Sequence, residues 1–430
     1  MTEGISNEKG SRCEEGAFRK YIPSKDLKRS QELSASNTYQ WCDLRCAEPF
    51  IQGWKMAWES LYKEPYKGIT TDGNVISGLY PIAHSSTDHG APTEAMMKAA
   101  MHALSLTTNA ERSKLNQPID APEWRRWLNP EIYIYRLGLR LEEVSEDLVT
   151  AIYEIMRASL SPEGYVKARG CMKVNQFLGE VVNGEGVLNE KSYNFTIYGT
   201  PSIESPWGWQ IYGHHFCMNC IVIGTQMVVS PIFMGAEPNI IDAGPYAGTQ
   251  LFVDQERLAL NLMRTMDDSQ IKTVRIFKEL SGPEYPEGRF HRADQRHLGG
   301  AFQDNRIIPY EGVGILSLSQ PQQDMIRQLI ILFLNHLPAK VLKIRMEEIR
   351  MQWKNTYFCW IGGFGEHDAF YFKIHSPVIM IEFDHHTGVF LNNKIPLPFH
   401  IHTLVRTPNG NDYGKAILKQ WQKRIDKSKA

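Results

Sequence analysis

The stretch Trp207–Asn219, which reads WGWQIYGHHFCMN, constrains the fold of this chain more than any other. It lies between two runs, Tyr193–Tyr198 and Ile221–Phe233, whose β-branched and aromatic residues favour strands. Adjacent residues on a strand point to opposite faces, so only one of His214 and His215 is expected to face a given pocket unless the strand bulges. The sequence therefore predicts a β-rich centre in which one histidine either faces a site or is a hydrogen-bonded core residue.

A second group of histidines lies near the C-terminus, where VIMIEFDHH is followed by HIHT. His400 and His402 are two residues apart, so on a strand both imidazoles share one face and can reach one ion. Glu382 and Asp384 alternate in the same way along the strand before them. Imidazoles with a nearby carboxylate are the residue types of a site for a borderline metal.

Several motifs in this order resemble the domain-of-unknown-function 3500 family, which is found in bacteria and fungi: WGW-x3-GHH-x3-N, GAEP, GPYAG, IEFD, HIHT and NDYG. The resemblance runs from about Ile132 to the C-terminus and implies a fungal-type member with an N-terminal extension. After IEFD, family members have an Asn and a short polar link, whereas this chain has HHTGVFLNNKIPLPF before His400. The added His385 and His386 lie either on the surface or at the site. Both departures indicate a specialised member, one that tailors a secondary metabolite.

The motifs together nominate a metal centre and a substrate cleft beside it. The predicted metal ligands, for Zn, Fe or Mn, are His214, His215, His400 and His402. The predicted catalytic residues are Asp384, Glu382 and Arg406, the last offering a planar fork to a carboxylate. The predicted substrate-binding residues are Trp207, Trp209, Tyr212 and Asn219, whose aromatic members either line an apolar cleft or belong to the core.

Composition excludes several classes of function. A formal net charge of -1 over 430 residues argues against a nucleic-acid partner, and no G-x-G-x-x-G or Walker A motif predicts nucleotide binding. No secretory signal is visible, and the longest apolar run, Leu329–Leu334, is too short to span a membrane. Seven cysteines without a disulfide pattern predict a cytoplasmic protein. Cys217 and Cys220 are predicted to be buried thiols, because residues three apart on a strand face opposite ways.

The order of elements is helices, strands, helices, strands and a last helix, with hairpin-length connections between strands. This order predicts an α+β fold with a mainly antiparallel sheet packed against helices, and with a helical N-terminal region. Residues 1–36 have few apolar residues and are predicted to be a disordered tail that is dispensable for stability. Residues 37–130 are predicted to form a helical extension and 131–430 the family domain. The long irregular segment 281–314 is predicted to close over the pocket.

Three hypotheses about function follow from these residues. The first is a metal-dependent enzyme that acts on a small organic molecule by oxidation, hydrolysis or lyase chemistry. The second is a non-catalytic small-molecule-binding protein whose histidines form a buried polar network. The third is a metal-free enzyme that uses a His–Asp or His–Glu pair for acid–base catalysis.

Overall fold

The computed structural model describes residues 16–84 and 87–429. Within them the chain forms twelve helices and twelve strands. The helices are α1 (Lys28–Ala35), α2 (Thr38–Cys46), α3 (Pro49–Lys63), α4 (Thr93–Ser105), α5 (Asn109–Leu115), α6 (Glu146–Ser159), α7 (Pro162–Val182), α8 (Val253–Arg264), α9 (Asp268–Val274), α10 (Gln320–Leu334), α11 (Ala339–Met351) and α12 (Lys415–Lys429). The strands are β1 (Asn116–Gln117), β2 (Leu139–Arg140), β3 (Tyr193–Gly199), β4 (Trp207–Gly213), β5 (Phe216–Ile223), β6 (Gln226–Ala236), β7 (Arg275–Phe277), β8 (Val313–Gly314), β9 (Tyr357–Gly362), β10 (Phe370–His375), β11 (Met380–His385) and β12 (Ile401–Arg406).

All twelve strands belong to one mixed sheet with the order β1-β3-β4-β5-β6-β12-β11-β10-β9-β7, in which β2 also pairs with β3 and β8 with β9. The sheet is mostly antiparallel, and its parallel pairs are β1 with β3 and β7 with β9. This arrangement confirms the predicted α+β class. Antiparallel neighbours form because tight turns join them, as at Gly224, whose φ of 56° suits the turn between β5 and β6.

The helices cover the sheet with their apolar faces. In α6, for example, Leu148, Ile152 and Ile155 are buried and recur at helical spacing. One predicted helix, Ser269–Leu280, is shorter in the structure, because α9 ends at Val274 and β7 continues as a strand beside β9. Pairing with the sheet edge satisfies backbone groups that a longer helix would have satisfied internally, and it overrides the local helix propensity.

The N-terminal region is part of the same sheet and core. β1, at Asn116–Gln117, pairs with β3, so the structure places no break at the predicted boundary after residue 130. Trp124 is fully buried and stacks on Tyr198 with ring centroids 3.8 Å apart. No helix in the described part of the chain is long and apolar enough to cross a bilayer. The six described cysteines, Cys217 and Cys220 among them, are free thiols.

The predicted disordered tail differs from the structure over its described part, residues 16–36. A 3₁₀ helix at Ala17–Tyr21 places Phe18 against Phe177, with ring centroids 5.9 Å apart, and leaves Phe18 only 1% exposed. Arg19 forms an ion pair with Asp242, and Leu33 of α1 is buried as well. Two anchoring apolar side chains suffice to hold a polar segment on the domain, which composition averaged over the segment does not reveal. Residues 1–15 lie outside the described part.

Replacing Phe18 by alanine is therefore expected to lower the free energy of unfolding by about 3 kcal/mol, because the ring leaves a cavity in the core. Urea denaturation of the full chain measures this loss. Ile395→Ala serves as the control, since Ile395 is 65% exposed and its truncation removes little buried contact. Equal stability of Phe18→Ala and the unaltered protein would restore the prediction of a dispensable tail.

Candidate metal centre

Three of the four predicted metal ligands meet at one point. The Nε2 atom of His400 lies 3.0 Å from Nε2 of His402 and 3.3 Å from Nε2 of His215, and the last two are 3.1 Å apart. All three imidazoles are buried. We call these three histidines the triad. Their separations match those of nitrogen atoms on one face of a metal site, where each metal–nitrogen bond is about 2.0–2.1 Å.

His215 reaches the triad from a turn and not from a strand, contrary to the expectation for the GHH pair. His214 and His215 form the two-residue turn between β4 and β5, and His215 has a φ of 59°. The His215 N–H donates to the carbonyl of Asn129 at 3.0 Å, and its own carbonyl accepts from Gly235 at 2.7 Å. These bonds on both sides hold a backbone conformation that is unfavourable for a side chain with a Cβ atom.

Gly235 makes the convergence possible, although the sequence did not single it out within GAEP. It lies on β6, the strand between β5 and β12, directly opposite His402. A Cβ atom at Gly235 would lie 3.1 Å from the Cδ2 atoms of both His215 and His402, and 2.9 Å from the carbonyl oxygen of Ile401. Glycine is therefore the residue that leaves room for two imidazoles to close over the intervening strand.

The tautomer of His400 follows from its partner. Its Nδ1 atom lies 2.7 Å from the carbonyl oxygen of Thr387. A carbonyl only accepts, so Nδ1 carries the hydrogen and Nε2 presents a lone pair to the triad. Glu237 lies behind this ring, with Oε1 3.7 Å from Nδ1, and it accepts hydrogen bonds from the amides of Val389 and Leu391. The insertion after IEFD thus supplies the groups that orient His400.

The two histidines added by that insertion are both buried, and they lie in different surroundings. His386 packs on His402 with ring centroids 3.8 Å apart, and its Nε2 atom lies 3.0 Å from Oδ2 of Asp384. One nitrogen each of His297, His386 and His402 lie within 4.8 Å of one another, so they form a second group of potential ligands. His385 points away, and its Nε2 donates to Glu256 at 2.8 Å.

His214 stands beside the triad without joining it. Its ring stacks on His215 with centroids 3.8 Å apart, and its Nδ1 donates to Oδ1 of Asn175 at 2.8 Å. Burial lowers the pKa of His214 to about 4, against the opposing effect of Glu131. The fourth predicted ligand is therefore a neutral neighbour that supports the ring of His215.

The predicted carboxylates hold the long segment 281–314 against the sheet. Asp384 accepts from Nε of Arg296 at 2.6 Å. Glu382 accepts from the Tyr371 hydroxyl at 2.7 Å and from the Leu298 amide at 2.8 Å. Burial opposes ionisation of Glu382, but contact with a neighbouring histidine and these hydrogen bonds lower its pKa to about 2. Both carboxylates are anchoring groups in this arrangement, and neither has been tested for catalysis.

The remaining predicted site residues are buried and have partners of their own. Arg406 donates to Asp412 at 2.8 Å and to Asp304 at 2.6 Å. The indole nitrogens of Trp207 and Trp209 donate to the Ser202 carbonyl and the Ser159 hydroxyl, both at 2.9 Å. The Tyr212 hydroxyl donates to the Tyr135 carbonyl, and the Asn219 amide donates to the Pro231 carbonyl at 2.9 Å. Such contacts are typical of core residues, and no two of these five side chains meet at the triad.

A cavity of about 530 Å³ opens beside the triad. Four histidines line one side of it: His214, His215, His386 and His402. The opposite side is built largely by α1, α2 and α3, and the segment 281–314 adds Arg292 and Gln295. The prediction that this segment lies over the pocket therefore agrees with its position. The role of the N-terminal helices in the wall was not predicted, because nothing in their sequence resembles a site.

Burial keeps the triad neutral near physiological pH. It lowers the pKa of His215 and of His402 well below the usual value, and neighbouring imidazoles lower both further. It also lowers the pKa of His400, although Glu237 acts in the opposite direction. Neutral imidazoles are the form that binds metal.

The same effect makes folding sensitive to pH at His336, a buried residue between α10 and α11 whose pKa falls to about 3 through burial and the nearby Lys167. The unfolded chain takes up this proton below about pH 6.5 and the folded chain does not, so His336 stabilises the fold above pH 6.5 and this stability is lost as pH falls. In chelator, His336→Asn is expected to reduce the slope of unfolding free energy against pH by about 1.4 kcal/mol per unit between pH 5.5 and 4. Urea titrations at several pH values measure the slope. The exposed His102→Asn is the control, and an equal slope in both variants would contradict the prediction.

Comparison with known proteins adds a family and no activity. A family model described as a protein of unknown function, DUF3500, matches residues 89–415. The match confirms the resemblance and begins ahead of Ile132, where the motifs had placed its start. No curated protein and no solved structure matches the chain.

Proposed function

We propose that this chain, which belongs to the DUF3500 family, is a divalent-metal-dependent enzyme that acts on a small organic molecule. The observation that carries the proposal is the convergence of three buried Nε2 atoms within 3.0–3.3 Å of one another. Three histidines from one turn and one strand, with a glycine between them, form an arrangement that a cation suits better than any other occupant.

The reasoning rests on what an imidazole nitrogen can do. Each Nε2 has a single in-plane direction for a hydrogen or a lone pair, so three that point to a common centre cannot all be paired with one another. At His400 the direction is a lone pair, because its Nδ1 donates to Thr387. Unpaired lone pairs in a buried site are unfavourable, and a divalent ion bound by all three removes this cost.

The number of ligands supports a catalytic site. Three protein ligands leave an open position, which is typical of catalytic centres, whereas structural zinc sites are closed by four. The cavity of about 530 Å³ beside the triad lies within the range of roughly 300–1,000 Å³ that accommodates small organic molecules. A bound Zn, Fe or Mn ion would supply Lewis-acid activation of a substrate or water, or redox chemistry in the case of Fe or Mn. Oxidation, hydrolysis and lyase chemistry are the reaction types proposed.

The chain's own residues bind, orient and exclude water around that position. Thr387 and Glu237 hold the ring of His400, and Asp384 holds that of His386. The insertion and the N-terminal helices both contribute to the cavity, which supports the proposal of a specialised role in tailoring a secondary metabolite. Metal-free acid–base catalysis is the second candidate, favoured by the contact between Asp384 and His386 at 3.0 Å.

Metal analysis of the full chain tests the proposal. The purified protein is stripped with a chelator, dialysed with Zn²⁺, Fe²⁺ or Mn²⁺, and assayed by elemental mass spectrometry and titration calorimetry. We expect about one ion per chain, held by three histidine ligands. Failure of all three ions to bind to the folded protein would overturn the metal-dependent proposal and leave the metal-free enzyme and the non-catalytic binding protein.

A further inference from the structure

We propose that the cavity beside the triad takes a small organic carboxylate with an apolar or aromatic body, and that residues ahead of the family match select it. This inference rests on the proposed function in that it names the substrate class of the same site. The carboxylate would contact Arg29 and Arg292, and the body would pack on Phe50 and Trp54, all of which line the cavity.

The charge on the cavity wall favours an anion. Three arginines and two glutamates line it: Arg29, Arg45, Arg292, Glu48 and Glu131. Arg45 lies between the two glutamates, in an ion pair with Glu48 and 3.4 Å from Glu131. The cavity therefore carries one excess positive charge before any metal is bound, and a divalent ion would add two more. A neutral or cationic substrate would leave this potential uncompensated.

The two other arginines are free to bind a ligand. Neither Arg29 nor Arg292 forms an ion pair with any carboxylate in the described parts of the chain. Each lies over an aromatic ring instead, Arg292 at 4.4 Å from the centroid of Phe50 and Arg29 at 5.6 Å from that of Phe390. Stacking holds a guanidinium in place while its N–H groups remain available, and the guanidinium fork matches a carboxylate.

The apolar part of the wall indicates the rest of the molecule. Phe50, Ile51 and Trp54 of α3 line the cavity together with Ile132 and Val389. Trp54 is held by Trp58, with ring centroids 4.2 Å apart. A rigid aromatic and aliphatic surface of this kind favours a flat apolar body over a sugar or another strongly hydrated group.

The segment that supplies most of this wall precedes the family match. Arg29, Arg45, Phe50 and Trp54 all come before residue 89, where the match begins, whereas the triad lies within it. The family domain thus carries the metal ligands, and the preceding helices carry the groups that contact the substrate. Substrate choice is therefore separable from metal binding in this chain.

The test uses calorimetry with the full chain and two sets of probes. The acids are benzoate, phenylacetate and 3-phenylpropionate, and the uncharged controls are their amides. We expect at least one acid to bind about tenfold more tightly than its amide. Arg292→Gln and Arg29→Gln should each weaken acid binding about five- to tenfold without affecting the amide, and Trp54→Ala should weaken both. Arg350→Gln is the matched control, since Arg350 is 69% exposed on α11.

Repeating the titrations after chelation separates this inference from the proposed function. Acid binding that survives chelation and still depends on Arg292 supports the inference even if no metal is ever found. Acid binding that is lost on chelation but unchanged in Arg29→Gln and Arg292→Gln would mean that the carboxylate binds the metal, and the inference would be overturned while the proposed function stands. Equal affinity for acids and amides, or no binding of any acid at millimolar concentration, would also overturn it.

Discussion

Replacing His402 by alanine is expected to abolish metal binding while the protein stays folded. His402 belongs to the triad and also to the second group formed with His297 and His386, so its loss breaks both. Two histidines remain in the triad, and affinity falls steeply when a ligand is removed, by more than the 10–100-fold typical of an outer-sphere change. The fold should survive, because an open site contributes less to folding than a closed structural one.

Elemental analysis and circular dichroism of the same sample measure the two outcomes together. His375→Ala is the matched control, since it also removes a buried imidazole from a central strand but lies outside both histidine groups. We expect His375→Ala to lose some stability and to keep its metal. A folded His402→Ala that retains a full complement of metal contradicts the assignment. If His402→Ala unfolds and no variant ever binds metal, the histidines are structural.

Substituting valine for Gly235 is expected to eliminate metal binding and lower the melting temperature. Even a methyl group at this position would lie 2.9 Å from the Ile401 carbonyl oxygen and 3.1 Å from the rings of His215 and His402. The branched side chain of valine adds two further methyl groups where the imidazoles close over β6. Overpacking of this kind typically costs about 1–3 kcal/mol, and here it also separates two ligands.

A graded series makes this result interpretable. Gly235→Ala should bind metal more weakly than the unaltered protein and more tightly than Gly235→Val, because the rings need to shift by only a few tenths of an ångström. Gly314→Val is the control, since a Cβ atom there meets nothing closer than 3.6 Å. Full metal binding by Gly235→Val would show that His215 and His402 do not share an ion across β6.

The sequence by itself determined the fold class and most of the ligands. Alternating and β-branched runs on either side of GHH, and helical runs before and after them, have periodicities that only an α+β arrangement satisfies. The pairing of His400 with His402 is also local, because a strand places residues two apart on one face whatever surrounds it. These features depend on backbone geometry within a few residues, so they can be read directly from the chain.

Tertiary structure decided which of these residues meet and what each one does. His215 joins the triad only because a turn reverses the chain beside β6 and because Gly235 has no side chain, and neither condition is visible from GHH alone. The same holds for Arg406, whose type suits a substrate fork but whose charge is paired with Asp304 and Asp412. Long-range packing settles such partners, because a charged group in the core takes the nearest opposite charge irrespective of its distance in sequence.

The cavity wall illustrates the same limit most clearly. Arg29 and Trp54 are far in sequence from His402, and no local pattern distinguishes them from ordinary surface residues of amphipathic helices. They become neighbours of the triad because the N-terminal segment docks through Phe18 and Leu33 and lays α1 and α3 beside the cavity. The local chain thus determined which residues can bind a metal, and only the packing of distant segments determined what faces the metal site.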